Sequence, residues 1–390
     1  MDNNKLKIVV LGAGYASLSF IKSLNHTLLK QVQIQLITNN PYHYFSVLLH
    51  EVAVGNMDKN AIVMLDKALP KEVELIVDTV TEIRQNEVIT KNGTYSFDKL
   101  VVGLGFNSEF FNIKGAELNS MTCGNYKEAL AIKERLTTLL KIKASKGEKV
   151  DIAICGGGFS GVELVSSLAQ KVCEDKNLPK DSINIYCIEA MPNIIAAFPQ
   201  QLIDVAKKKL VELGVVLKTE HKILEIKQDS ITCDYKGSEV NIKSDLAIWL
   251  VGVRGNAVIG NSPILESFRD KVAVTKTLNA PNFNHIFVVG DCSFMKDKEG
   301  KPLPPTAQIA IQQGKYLAGE FSNIIEGKML AEFKFVSKGM ICSLGEDFAI
   351  GIGTGPNKFY VGKGPMFLKR NVIEAYWRFK VGGMRSLLKG

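Results

Sequence analysis

Apolar and polar positions divide this chain into short blocks. Leu6–Leu11 is an apolar run rich in β-branched residues, the pattern of a strand buried on both faces of a parallel sheet. A small-residue turn follows, Gly12-Ala13-Gly14-Tyr15-Ala16-Ser17, and apolar residues then recur at Leu18, Ile21, Leu24 and Leu28 with helical spacing. Val32–Ile37 reads as the next strand, so the N-terminus predicts a β-α-β unit. The same order returns later. Ile152–Cys155 is apolar, Gly156, Gly158 and Gly161 form a G-x-G-x-x-G turn, a helix runs from about Ser160 to Glu174, and Ile183–Ile188 is a strand. Asn177–Asp181 reads as the loop between them.

Other elements follow from the same patterns. Val73–Val80 reads as a strand, and Glu87–Thr90 with Thr94–Phe97 as a hairpin about Asn92-Gly93. Asp98–Gly105 is a buried strand ending in glycine. Lys127–Ile142 is helical, with a polar break over 144–149. Pro199–Leu213 is an amphipathic helix, and Gly214–Leu217, Ile223–Lys227, Ser230–Tyr235 and Val240–Ile242 are small strands. Asp245–Val251 and Ile286–Gly290 are buried strands. Thr306–Ile325 is a long helix with Thr306 as N-cap. After Gly327 the segments shorten, and basic and aromatic residues mix. The fold class is α/β, with two Rossmann-type dinucleotide-binding units.

Composition narrows the function. The chain has 390 residues, 46% hydrophobic and 23% charged, enough for two or three globular domains. No run approaches the roughly 20 apolar residues of a spanning helix. The start leads almost directly into a strand, so no signal peptide is expected. Seven cysteines are scattered without C-x-x-C or zinc spacing, which points to a reducing compartment and away from an iron–sulfur cluster or a disulfide relay. His43 and His50 lie in an aromatic stretch with no acid–histidine cluster at ligand spacing, so no metal is expected. Net charge is +8, which suits either simple solubility or an anionic partner.

The glycine loops carry the chemistry. The first glycine allows the turn, the second lets backbone approach a pyrophosphate, and the third lets helix and strand pack closely. The first loop has Ser17 at the third small position, which predicts slightly looser packing. An acid at the end of the second strand holds ribose hydroxyls in such units. The second unit has Glu189 there, which favours NAD over NADP; the plain alternative is a solvated strand-end acid. The first unit has only the uncharged Thr38 and Asn39.

Further stretches extend the pattern: LGAGYAS at 11–17, GGGFSGVEL at 156–164, WLVGVRG at 249–255, VVGDCS at 288–293, PTAQIAIQQG at 305–314 and KGMICSLG at 338–345. Together they resemble the type II NADH dehydrogenases, NADH:quinone oxidoreductases among the two-dinucleotide-binding flavoproteins. The resemblance implies an FAD domain from 1–115 and 270–327, an inserted NADH domain at 116–269 and a membrane-association or dimer region at 328–390. It implies that Gly12, Gly14, Tyr15, Ala16, Ser17, Thr38, Asn39, Asp291, Ala307 and Gln308 serve FAD. It implies that Gly156, Gly158, Phe159, Ser160, Gly161, Glu163, Glu189 and Gly252 serve NADH. Gln308 and Gln312, one helical turn apart, would line the quinone pocket, and Glu163 would position nicotinamide or relay protons.

The last segment, Lys369–Gly390, carries six basic residues against Glu374, a net +5, interleaved with aromatic and aliphatic residues. It suits an interfacial membrane helix, in two pieces about Gly382-Gly383; packing on its own domain is the alternative. With no recognised module beside the basic patch, nucleic-acid binding is not expected. The expectation is a peripheral, homodimeric enzyme on the cytoplasmic face of a membrane, with quinone as its partner. One rival is a sulfide:quinone oxidoreductase using Cys123, Cys155 or Cys342; another is a nucleotide-sensing flavoprotein without respiratory turnover.

Overall fold

A computed structural model describes residues 5–174, 183–355 and 358–383. The helices named below are α1 (Tyr15–Ser23), α2 (His26–Gln31), α3 (Leu49–Val54), α4 (Tyr126–Lys146), α5 (Phe159–Glu174), α6 (Gln200–Glu212), α7 (Ala307–Gly319), α8 (Phe321–Glu326) and α9 (Ala375–Gly382).

Two five-stranded parallel sheets organise the chain. In the first, Leu6–Leu11 is central, flanked by Val32–Thr38 and Lys99–Val102, with Val73–Val77 and Ile286–Val288 at the edges. The strand at 286–288 returns to this sheet after an excursion of more than 150 residues. That excursion holds the second sheet, in which Val150–Cys155 is central between Ile183–Ile188 and Leu246–Trp249, with Val215–Lys218 and Ser120–Thr122 outside. All six residues of the 150–155 strand are buried. Helices α4 and α5 cover one face of it and the antiparallel strands His221–Ile226, Ser230–Tyr235 and Ser238–Lys243 the other, so both faces are buried. A two-stranded ribbon, Phe106–Ser108 with Val253–Gly255, joins the outgoing and returning chain.

Apolar periodicity misses two helix boundaries. The helix expected through Leu28 stops at Ser23: Leu24 is extended, and Asn25 caps α2 by accepting from the Leu28 N–H at 2.8 Å. Asn favours that capping position over a helix interior. The helix expected to reach Ile325 breaks at Glu320, whose ψ of 0° ends α7 before α8 begins. Thr306 does cap α7, accepting from the Ile309 N–H. Val73–Val80 splits into Val73–Val77 and a separate strand at Val80–Ile83. Helix α4 runs through Lys146, into the expected polar break. The loop expected at Asn177–Asp181 lies outside the described residues.

The C-terminal region packs on both halves. Cys342, Leu344 and Ile350 belong to the core around the second sheet, and Trp377 and Val381 to the core around the first. Leu368–Glu374 is a π-helix leading into α9. The expected interfacial helix is therefore corrected in part. Lys369 pairs with Glu163, Arg370 with Glu51, and Arg378 lies over the Phe45 ring and bonds Met57 Sδ. Three of the six basic residues thus face protein, since their partners lie in the fold.

Candidate active site

Both glycine loops lie between a central strand and a helix N-terminus. At Gly12, φ is +81° and an added Cβ would come within 2.4 Å of the Gly103 carbonyl oxygen. At Gly156, φ is +108°, and at Gly161 a Cβ would sit 1.9 Å from the Gly156 oxygen. No other residue fits these places. The middle glycines differ: Gly158 has no atom within 4 Å of an added Cβ, and Gly14 only one, at 4.0 Å. Each loop thus packs tightly at its ends and faces open space at its middle. That space, at a helix N-terminus, fits a pyrophosphate.

Ser17 corrects the expectation of looser packing. It is fully buried and donates to the Leu11 carbonyl at 3.2 Å. A side chain on Gly103 would meet its hydroxyl at 2.3 Å. Glycine in the neighbouring strand end makes the room. Tyr15 and Ala16 turn their side chains into the core, leaving backbone for a ligand. Asn39 accepts from its neighbour Asn40, and Thr38 is buried. Asp78 donates its N–H to the Thr38 carbonyl but spends its carboxylate on Thr79 and Asn92. It does not replace the missing strand-end acid.

Asp291 follows the 286–288 strand into a cleft shared with Lys271, Gly290, Thr306 and Gln313. Burial raises its pKa, and Lys271 pulls the other way. Gln313 was not singled out from sequence. It is buried, accepts from the Gly290 N–H at 2.6 Å and donates to Ser293 Oγ at 3.1 Å. It fixes the turn that presents Asp291. The middle of α7 packs closely on α1: a Cβ at Gly314 would lie 2.2 Å from the Ala16 oxygen, and Ser19 Oγ donates to the Ile311 carbonyl at 2.8 Å. Ala307 is the first residue of that helix.

In the second unit, Glu189 Oε2 accepts from the Gly157 N–H at 2.7 Å and Oε1 from the Met191 N–H at 2.8 Å. The acid braces its own loop, and its remaining lone pairs can still accept from hydroxyls. Phe159 packs on Phe198 with ring centroids 5.1 Å apart, while Ser160 is exposed. Gly252, φ +71°, packs against the Phe111 ring.

Glu163 is the fifth residue of α5, just past its first turn, and is largely buried. Its Oε1 accepts from Lys369 Nζ at 2.6 Å, from Ser343 Oγ at 2.9 Å and from the Ser343 N–H at 3.0 Å. Its Oε2 is 3.8 Å from His50 Nδ1, and His50 Nε2 is 3.5 Å from Glu51 Oε1. Burial pushes its pKa up, but Lys369, His50 and the Ser343 N–H outweigh that and hold it below the ordinary value. Glu51 is likewise held down to about 2; burial opposes this, while His50, Asn56 and Arg370 favour its anion. Lys369, Ser343, His50 and Glu51 were not assigned to the site from sequence.

Gln308 and Gln312 do share a helix face, but both ends of both amides are occupied. Gln308 accepts from the Lys338 N–H at 2.7 Å and donates to the Gly339 carbonyl at 3.2 Å. Gln312 accepts from the Val336 N–H at 3.0 Å and donates to the Val336 carbonyl at 2.9 Å. They hold an extended segment against α7, and each amide keeps a second N–H and lone pair.

The sequence pattern described as pyridine nucleotide-disulphide oxidoreductase matches residues 6–314. Type II NADH:quinone oxidoreductases of Staphylococcus aureus (strain bovine RF122 / ET3-1) and Staphylococcus epidermidis (strain RP62A) are each 32% identical over 406 aligned positions, covering 100% of this chain and 99% of theirs. The chain belongs to the type II NADH:quinone oxidoreductase family. Its fold matches an NDH2 of Plasmodium falciparum solved in complex with NADH, with TM-score 0.87 at 18% identity over 99% of this chain and 98% of that one. The sulfide:quinone oxidoreductase of Aquifex aeolicus shares the fold, with TM-score 0.81 at 19% identity over 97% and 91%. Burial disfavours the thiolate form of the three cysteines a sulfide enzyme would draw on here. Cys155 and Cys342 are fully buried, and burial pushes the Cys123 thiol up to about 12. Among the described residues no His, Cys, Asp and Glu cluster can hold a metal ion.

Proposed function

We propose that the chain oxidises NADH at the 156–161 loop and delivers two electrons, by way of FAD at the 12–17 loop, to a membrane quinone. The observation that carries this is the pair of cradles: two glycine turns, each with its middle glycine open, at the ends of two parallel sheets in a chain of this family. FAD would supply the ring that accepts hydride and returns electrons in pairs. The protein binds, orients and handles the proton. NADH carries two electrons and one proton, and a quinol needs two protons, so each turnover takes one proton from solvent. Glu163 is held ionised by Lys369 and lies among groups able to hold that proton. Glu189 would accept from the ribose hydroxyls of NADH and repel a 2′-phosphate. Asp291 and the α7 N-terminus would face the flavin side of the first loop.

For the membrane, we propose a face different from the tail. Phe359, Tyr360, Val361, Phe367 and Leu368 are exposed apolar residues on an edge strand and the helix after it, with Lys363 exposed between them. No helix among the described residues is long and apolar enough to cross a membrane, so this face would rest on the surface.

Anaerobic mixing tests the reading. NADH should bleach the bound flavin within the turnover time, sulfide should not, and a soluble quinone should restore the colour. Bleaching by sulfide alone would reject it in favour of the sulfide enzyme. NADPH should reduce the flavin at least about tenfold less efficiently, given the acid at 189.

A further inference from the structure

His43 is assigned to no role above. It is 1% exposed, on the short strand Tyr42–Tyr44, and its Nδ1 lies 2.8 Å from the carbonyl oxygen of Ala13, within the first glycine loop. On its other side, Trp377 of α9 donates its indole N–H to His43 Nε2 at 3.3 Å. The rings of Tyr15 and Phe45 meet the imidazole edge-on, with centroids 5.2 and 5.1 Å away. One buried imidazole therefore bridges the nucleotide loop and a helix 334 residues further along the chain.

Donor and acceptor chemistry fixes the state of that imidazole. An indole N–H only donates, so Nε2 must accept. The neutral ring then carries its proton on Nδ1, which is what the Ala13 carbonyl requires. Burial pushes the His43 pKa down to about 4, so the ring is neutral at ordinary pH. The opposite tautomer would set two lone pairs against each other across 2.8 Å. Trp377 thus selects the tautomer that holds Ala13.

Holding Ala13 has a consequence one atom further on. In a trans peptide the carbonyl of Ala13 and the N–H of Gly14 point in opposite directions. Anchoring the carbonyl on His43 turns the Gly14 N–H away from the imidazole, and Gly14 is the loop residue that faces open space. We propose that Trp377 and His43 form a positioning relay that aims the Gly14 N–H at the FAD pyrophosphate, so that cofactor retention depends on the docking of α9. This rests on the reading of 12–17 as the FAD loop.

The test uses holoenzyme and the fluorescence of released FAD. Trp377→Phe keeps the ring and deletes the donor. It should weaken FAD binding by about tenfold, the scale of one buried hydrogen bond. His43→Asn places an amide N–H near the Nδ1 position and removes the Nε2 acceptor. It should hold FAD nearly as wild type, and adding Trp377→Phe to it should cost little more. That lack of additivity is the signature of a relay, which two independent packing defects would not give. Wild-type FAD release from Trp377→Phe, or additive losses in the double variant, would overturn the relay alone. A wild-type enzyme without FAD would overturn the cofactor reading and the relay with it.

Discussion

At the scale of one residue, Glu163 is defined by what lies far from it in sequence. Its two strongest partners, Ser343 and Lys369, are 180 and 206 residues away. Lys369→Met would leave a buried carboxylate without its nearest cation. Its pKa should then rise, since burial is the largest influence on it and would lose its main opponent. The expected outcome is quinone reduction slowed at least about tenfold at neutral pH, with the lower limb of the pH profile displaced upward; Lys369→Arg should restore part of the rate. Stopped-flow measurement of the two half-reactions checks this. His43 gives a second expectation, on stability. Its folded pKa of about 4 lies below the ordinary 6.5, so between those values the unfolded chain binds the proton. Stability therefore falls as pH drops from 6.5 to 4, by about 3 kcal/mol in all. Arg378, over the neighbouring Phe45 ring, is a cation that acts in the same direction. Glu51 titrates lower, between 4.5 and 2. Urea unfolding at pH 7 and pH 5 should therefore differ in wild type and differ less in His43→Asn. Glycine spacing made Glu163 visible in the sequence, two residues after Gly161. Nothing local marked Lys369 as its partner, because a lysine in a basic tail has the same pattern whether it faces lipid or a buried acid.

At the scale of an element, α7 acts as a ladder. Gln308, Gln312, Tyr316 and Glu320 are spaced four apart and bond the backbone of the segment between Ala331 and Gly339. A segment with no sheet partner gains a helix face as its hydrogen-bonding edge. Gln312→Ala removes two of these bonds. A loss of about 2 kcal/mol is expected, with faster proteolysis in 328–339 and unchanged FAD content; limited digestion followed by mass analysis checks both. Gly314→Ala acts on the other face of the same helix. Its methyl would meet the Ala16 oxygen at 2.2 Å, so α7 must move off α1, and FAD content should fall. The i, i+4 spacing of the glutamines was legible in the sequence. What they face was not, since the segment they hold lies beyond α8 and has no periodicity of its own. The two parallel sheets were legible because their central strands carry unbroken, buried apolar runs at 8–11 and 152–155. The breaks after Ser23 and at Glu320 were not, because apolar spacing continues through both and only capping geometry ends the helices.

At the scale of the molecule, the proposed membrane contact needs a surface. The tail's charge pointed to Lys369 onward, yet Lys369, Arg370 and Arg378 are committed to Glu163, Glu51, Phe45 and Met57. Those contacts weld the C-terminal region to the site. They also leave a different set of side chains outside. Phe359, Tyr360 and Val361 are consecutive and all exposed, which a strand with one buried face would not allow, and Phe367 is 66% exposed. An edge strand showing apolar groups on both faces needs a cover. Under the proposed membrane reading a bilayer surface would supply one, and the Lys363 ammonium, exposed and 3.8 Å from Asp347 Oδ2, would exchange that partner for anionic headgroups. Burying one such phenylalanine contributes about 1.5–3 kcal/mol. Replacing Phe359 and Phe367 together with Ser should thus lower binding to vesicles of mixed neutral and anionic lipid by at least about tenfold, while NADH oxidation with a water-soluble quinone stays near wild type. Removing residues 384–390 should change vesicle binding less. If the double Ser variant floats with vesicles as wild type does, and instead changes from dimer to monomer in light scattering, the cover is a second copy of the chain and the membrane contact lies elsewhere.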